Sequence, residues 1–292
     1  MKLLTYRYDG EETIGRMSPD LRYVWPISQF GFAQKDMNSF IESVSEADLA
    51  RLAAVETAKV VIPYADVGKC APIPIPRQDL LCLGMNFASH RDEAAVFKLD
   101  DPSRDKGYAV YFAKHVNEAV PDGGYIDWHA DITRQLDYEA ELGVVIGRNA
   151  YKVAKEDVFD YVLGYTVIND VSARDLQKRH VQVVFGKGLD GFTPMGPWIA
   201  TKDEFAVPPA LRIRCWVNGE LRQDAYTDQM LFSIAEAISE LSGGITLKAG
   251  SVISMGSPSG VGMGLDPPQF LKAGDVVKIE IGGIGTITNM VR

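Results

Sequence analysis

Asp137-Tyr138-Glu139-Ala140-Glu141-Leu142-Gly143-Val144-Val145-Ile146 sets two acids at the head of an apolar run. The apolar part, closed by Gly147, predicts a strand over 139–147. Side chains two apart on a strand share a face, roughly 7 Å apart along the backbone. Glu139 and Glu141 therefore point one way, and Ala140, Leu142 and Val144 the other. Two carboxylates on one face repel each other and are costly to desolvate. A divalent cation relieves both effects. Two solvated acids at an exposed strand edge satisfy the same pattern, so the pair alone leaves both readings open.

A third acid weighs on that choice. Val167-Ile168-Asn169-Asp170-Val171-Ser172-Ala173-Arg174-Asp175 reads as a strand end running into a helix start, with Asp170 at the tip. Asp170 also suits a helix cap, a role compatible with metal binding. Three carboxylates, Glu139, Glu141 and Asp170, suit Mg²⁺ or Mn²⁺ better than Zn²⁺. Upstream, Gly84-Met85-Asn86-Phe87-Ala88-Ser89-His90-Arg91-Asp92-Glu93 places His90 and Glu93 three apart, neighbours if the turn is helical. A carboxylate beside an imidazole fixes its tautomer and raises its basicity, as a general base acting on water requires. A surface ion pair is the alternative.

Composition narrows the classes. The chain has 292 residues, 46% hydrophobic and 24% charged, with mean hydropathy −0.05, as expected of a soluble globular protein. No run approaches the 18 apolar residues of a membrane span, and residues 1–10 lack a secretory layout. The net charge of −9 disfavours a nucleic-acid partner. Cys70, Cys82 and Cys215, widely spaced, read as reduced thiols and point to the cytoplasm. With four histidines in all, a metal site is held mainly by oxygen.

Residues 3–8 and 13–17 form an expected hairpin around Asp9-Gly10, and helices are expected over 37–44 and 47–57, the second capped by Ser45. Ala71-Pro72-Ile73-Pro74-Ile75-Pro76 cannot be helical and marks a boundary between residues 1–75 and 76–292. Beyond it, strands are expected over 80–84, 162–169, 211–217, 221–224, 251–255, 275–281 and 286–291. Asn218-Gly219 supplies a hairpin turn. A helix is expected over 86–97, a charged loop over 99–107, and a second helix over 229–242 ending at Gly243-Gly244. The glycine loop 256–264 matches neither a Walker A loop nor a dinucleotide fingerprint. Its glycines allow backbone to approach a ligand.

Together these pieces resemble the fumarylacetoacetate hydrolase family. The likeness rests on Gly84-Met-Asn-Phe-Ala-Ser-His90-x-x-Glu93, Tyr138-Glu139-Ala-Glu141-Leu, and Gly164-Tyr-Thr-Val-Ile-Asn-Asp170-Val-Ser-Ala-Arg174-Asp-x-Gln177. It extends through Gly186-Lys187, Pro194-Met-Gly-Pro-Trp198, the Gly256 loop and 274–289, in the family's order across roughly residues 80–292. The resemblance implies an α+β, mainly β fold: a mixed β-roll catalytic domain over 76–292 behind a small N-terminal α+β domain. It also implies a homodimer and one divalent cation per subunit, on Glu139, Glu141 and Asp170. The catalytic pair falls on His90 and Glu93, in a lid to which the charged loop belongs. Lys187 falls beside the metal-bound oxygens. Arg174 and Gln177 face the substrate's polar end, and Met85, Asn86 and Ser257 fall on substrate-binding positions.

Departures are the Gly256-Ser257-Pro258 triplet, where the family has Gly-Thr-Pro, and Lys114-His115, where it has Lys-Pro. Leu83 stands at the fourth-acid position of the founding subgroup, which favours the three-acid subgroup. The implied reaction is hydrolysis of a C–C bond in a 2,4-dioxo acid, with water activated by His90 and a pyruvate enolate stabilised by the cation and Lys187. Decarboxylation of oxaloacetate, and isomerisation or hydration of an unsaturated 2-oxo diacid, are the alternatives. A ligand-binding protein without activity is the third class. Trp198 is expected in the core, His115, His129 and His180 outside the site, and Arg212 and Arg214 on an exposed strand face.

Overall fold

The computed structural model describes residues 1–90, 93, 107–180 and 182–292. Its Ala140–Ile146 strand lies inside the larger of two main sheets, antiparallel to Val162–Asn169 on one side and Val252–Ser254 on the other. All seven residues of the strand are buried. Coverage on both faces explains why Val144, Val145 and Ile146 follow one another without polar alternation. The reading of Glu139 and Glu141 as solvated edge acids is thereby removed.

Outward from Val162–Asn169 the sheet continues through Met195–Thr201, Lys2–Tyr8, Glu11–Met17, Tyr23–Pro26 and Ile62–Pro63. Beyond Val252–Ser254 it continues through Leu80–Gly84, in parallel, to Val110–Lys114. Leu3 opposes Ile199, so residues on both sides of the proline run share one sheet. The second sheet runs Glu220–Tyr226, Arg212–Val217, Val276–Ile281, Gly285–Val291 and Tyr125–Ile126. The architecture is mixed α+β and mainly sheet, as expected.

The core follows from strand alternation. Leu142, Val144 and Ile146 join Ile213, Ile279 and Ile287 in one buried layer, against the second sheet. Val145, Leu163 and Ile168 face the other way, into a layer with Phe40, Ile41 and Leu52 of the N-terminal helices. Burial of one such side chain contributes about 1.5–3 kcal/mol.

Several local expectations hold. Lys2–Tyr8 and Glu11–Met17 form the hairpin, and Asn218 and Gly219 both adopt positive φ in their turn. Ser45 caps the Glu46–Ala53 helix with Asp48 in a reciprocal box. That helix ends at Ala53, short of residue 57, because β-branched Val55 and Thr57 lie outside the core and do not extend it. The later helix runs Ile234–Ser242, not from 229, because Ser233 and Glu236 box its start. Met195–Thr201 was not expected as a strand, since Pro197 in a strand interior reads as a break. A register shift between Tyr165 and Val167 on the neighbouring strand accommodates it. Cys70, Cys82 and Cys215 are free and buried. Among the described residues no helix is long and apolar enough to cross a membrane. Half of the expected 86–97 helix, and all of the 99–107 loop but Gly107, with its lid role, lie outside the described residues.

Candidate active site

Ala140 pairs with Asn169 across the sheet, so the residues just beyond both strands, Glu139 and Asp170, meet at one edge. Their backbones are tied: Asp170 N–H donates to the Glu139 carbonyl at 2.9 Å, and Glu139 N–H to Asn169 Oδ1 at 3.0 Å. Glu141, two residues on, falls on the same face. One carboxylate oxygen from each acid lies within 4.8 Å of the other two. Residual exposure is 5% for Glu139, 1% for Glu141 and 0% for Asp170, so this cluster is dry.

Cations and amide donors surround it. Lys187 Nζ bridges Glu139 Oε2 at 2.7 Å and Asp170 Oδ2 at 2.6 Å. Lys114 Nζ, fully buried, donates to Asp170 Oδ1 at 2.6 Å and to the carbonyls of Val171 and Phe192. Arg174 Nη1 pairs with Glu139 Oε1 at 2.7 Å, and its Nε donates to Asp137 Oδ2 at 2.9 Å. Among the described residues Glu141 Oε2 accepts only from neutral donors, Ser254 Oγ at 2.6 Å and Gly256 N–H at 3.0 Å.

The titrations follow from this uneven pairing. Burial opposes the charge on Glu139, but Lys187 and Arg174 outweigh it and hold the carboxyl well below the usual range. Glu141 is pushed well above its ordinary value by burial and by the charges of Asp170 and Glu139. Lys187 is also opposed by burial, yet Asp170 and Glu139 raise it, so it stays cationic. An all-oxygen trio in which one acid has no cationic hydrogen-bond donor among the described residues fits a hard divalent cation. The ammonium bridging Glu139 and Asp170 marks where positive charge is already required. Glu139, Glu141 and Asp170 are the residues that would hold the ion.

His90 closes another wall. Its Nδ1 lies 3.2 Å from Glu93 Oε2 and its Nε2 4.0 Å from Glu139 Oε1. Phe112, Leu83, Met85 and Met263 supply apolar surface around the same pocket, with Arg174, Gln177, Lys187 and Ser257 among its polar lining. Met85 reaches it from a left-handed backbone, φ 54°. Asn86 does not line it: its amide is bonded to the backbone of Phe232 and Met255, as a strut between segments. Ser257 Oγ accepts from Gln223 Nε2 at 2.7 Å. Lys187 reaches the acids because Gly186 lets its helix approach the preceding one, Arg174–Arg179: a Cβ there would stand 2.8 Å from the Gln177 nitrogen.

His115 pairs with Asp79 and Asn117, His129 with the Asp190 carbonyl, and His180 packs edge-on against Phe185, all away from the pocket. Trp198 is buried and Arg212 exposed, as expected. Sequence reading passed over two residues that the fold brings in. Asp137 carried a signal, since the period that pairs Glu139 with Glu141 also reaches back to 137. Lys114 carried none beyond its place in a departure from the family pattern, because its contact with Asp170 spans 56 positions.

Comparison with known proteins gives the chain a family and solved relatives. Residues 79–292 match the family profile described as Fumarylacetoacetate (FAA) hydrolase C-terminal. Oxaloacetate tautomerase YisK of Bacillus subtilis (strain 168) is 42% identical over 245 residues, 84% of this chain and 80% of that protein. A solved fumarylacetoacetate hydrolase from psychrophilic Exiguobacterium antarcticum superposes with a TM-score of 0.84 at 37% identity, covering 100% of this chain and 99% of that one. Maleylpyruvate hydrolase from Sphingobium sp. SYK-6, solved in complex with manganese (II) ion and pyruvate, gives 0.76 at 27% identity, covering 100% and 98%.

Proposed function

Since the chain belongs to the fumarylacetoacetate hydrolase family, we propose that it is a divalent-cation-dependent enzyme interconverting the keto and enol forms of a short 2-oxo diacid of the oxaloacetate type. One observation carries the substrate class. Arg174 Nη2 is buried, lacks a hydrogen-bond partner among the described residues, and belongs to a side chain lining the pocket of the acid trio and His90. A buried guanidinium N–H without an acceptor is costly, and a substrate carboxylate supplies the acceptor. The trio accounts for one end of the substrate and Arg174 for the other, hence a diacid.

Tautomerisation moves one proton from C3 to the 2-oxo oxygen, and the residues for that transfer are in place. Glu93 Oε2 accepts a hydrogen bond from His90 Nδ1–H, which leaves the Nε2 lone pair facing the trio. Neutral Nε2 removes the C3 proton and returns it at oxygen. Lys187, held cationic, donates hydrogen bonds where negative charge develops and does not compete as a base. A bound Mg²⁺ or Mn²⁺ supplies Lewis-acid polarisation of the 2-oxo group. Burial of the cluster excludes water and strengthens each of these interactions.

The Glu93-oriented imidazole supports a second reading, because the same pair activates water. On that reading the protein hydrolyses the C–C bond of a 2,4-dioxo acid, giving a carboxylate and pyruvate. The deciding assay uses metal-stripped protein, with and without Mg²⁺ or Mn²⁺, on oxaloacetate and on acetylpyruvate. Metal-dependent enol interconversion without CO₂ release supports the tautomerase. Acetate plus pyruvate from acetylpyruvate replaces it with the hydrolase, and CO₂ from oxaloacetate replaces it with a decarboxylase. We place a cytoplasmic homodimer in the same reading; sedimentation velocity tests the dimer.

A further inference from the structure

The glycine loop 256–264 aims three amides at two carboxylates. Gly260 N–H donates to Glu93 Oε1 at 2.7 Å, Gly262 N–H to Asp137 Oδ1 at 2.7 Å, and Met263 N–H to Asp137 Oδ2 at 3.0 Å. Asp137 Oδ1 also accepts from Tyr138 N–H at 2.9 Å, and each carboxylate holds a pocket residue besides. Glu93 Oε2 holds His90 Nδ1 at 3.2 Å, and Asp137 Oδ2 holds Arg174 Nε at 2.9 Å. One stretch of backbone thus reaches both the imidazole and the guanidinium, each through a single carboxylate.

The glycines are what permit the approach. A Cβ on Gly262 would stand 2.6 Å from Asp137 Oδ1 and 2.2 Å from the Gln269 carbonyl. On Gly264 it would stand 2.5 Å from the Glu93 carboxyl. Gly260, at φ 102°, would place one 1.8 Å from the Arg222 carbonyl. The turn is itself held: Tyr138 Oη donates to the Gly260 carbonyl at 2.8 Å, Gln223 Nε2 to that of Pro258 at 2.8 Å, and Gln269 N–H to that of Gly262 at 2.9 Å.

We propose that the 260–263 turn is a positioning element that sets His90 and Arg174 in register with each other, acting through Glu93 and Asp137. None of its atoms needs to touch a reacting group. Amides on carboxylates are charge-assisted and directional, so the turn fixes both orientation and spacing. The spacing between base and guanidinium in turn selects the length of the substrate. That last consequence rests on the diacid reading; the positioning role does not.

The test is residue-resolved hydrogen exchange on the full-length, metal-free protein, with wild type, Gly264→Ala, Glu93→Ala and Asp137→Asn compared. Gly264→Ala and Glu93→Ala should each speed exchange of the Gly260 amide by about tenfold or more, with the Gly262 and Met263 amides as in wild type. Asp137→Asn turns one carboxylate oxygen into an N–H. Either the Met263 amide and Arg174 Nε–H, or the Gly262 and Tyr138 amides, should then exchange about tenfold faster. Mn²⁺ affinity of Gly264→Ala should stay within about twofold of wild type, because the trio is untouched. Wild-type exchange at Gly260 in both of the first variants overturns the Glu93 arm, and wild-type protection at all four groups in Asp137→Asn overturns the other. A misfolded Asp137→Asn leaves the Gly264→Ala arm to decide. If wild type is inert on oxaloacetate, the diacid reading fails while the exchange results still settle the positioning role.

Discussion

Glu141 is the acid of the trio whose hydrogen bonds, among the described residues, come from neutral donors only, and its behaviour should differ from that of Glu139 and Asp170. Its folded pKa lies above the unfolded value, so the folded state binds the proton more tightly. Stability of the metal-free protein should therefore rise as pH falls through the folded pKa, with the gain complete near the ordinary ~4.5. Mn²⁺ requires the carboxylate, so its binding should release a proton, read as a buffer-dependent heat in calorimetry. Glu141→Gln should raise the melting temperature of the metal-free protein at neutral pH and flatten its pH dependence. The same change should weaken Mn²⁺ by more than the about 10–100-fold typical of losing a supporting partner. His90→Ala is the complementary case: turnover should fall by about 10²–10⁴ while Mn²⁺ affinity is kept. Comparable turnover in that variant would remove His90 from the mechanism.

At the scale of elements, the site depends on strands approaching more closely than side chains normally allow. A Cβ on Gly164 would stand 2.2 Å from the Ala200 carbonyl and 2.8 Å from the Thr201 Cα, both backbone atoms that cannot swing aside. Gly164→Ala should part Val162–Asn169 from Met195–Thr201 and cost about 1–3 kcal/mol or more, measured by urea unfolding. Because Asp170 directly follows the first of these strands, Mn²⁺ affinity should fall with stability. Full retention of both would show that the sheet absorbs the methyl group. Element type was legible wherever local chemistry decided it, as in the Ser45 cap and the Asn218-Gly219 turn, whereas the Ser233 cap that starts the later helix went unread. Met195–Thr201 was not legible, because its strand character comes from being covered on both sides and its Pro197 argues locally against it.

Across the whole molecule, the N-terminal segment completes the sheet that carries the site. Lys2–Tyr8 covers the edge of Met195–Thr201, and Phe40, Ile41 and Leu52 cover Val145, Leu163 and Ile168. Residues 76–292 made alone should expose that edge and that apolar layer, and should aggregate in light scattering. A soluble fragment with its own cooperative unfolding would instead establish the 1–75 boundary as a true division. Dryness has the same origin: three acids kept at or below 5% exposure require two sheets and the glycine loop packed around them.

What the sequence alone determined is local or periodic: a period of two puts Glu139 and Glu141 on one face, and a strand tip holds Asp170. A spacing of three joins His90 to Glu93, and the order of motifs names the family. The tertiary structure decided the rest. It chose a buried cluster over a solvated edge, brought Lys114 to Asp170 and Asp137 to Arg174, and left Arg174 Nη2 without an acceptor among the described residues. Those outcomes depend on which distant chains shield a charge from water, and a pairwise electrostatic term between remote positions leaves no period in the sequence to read.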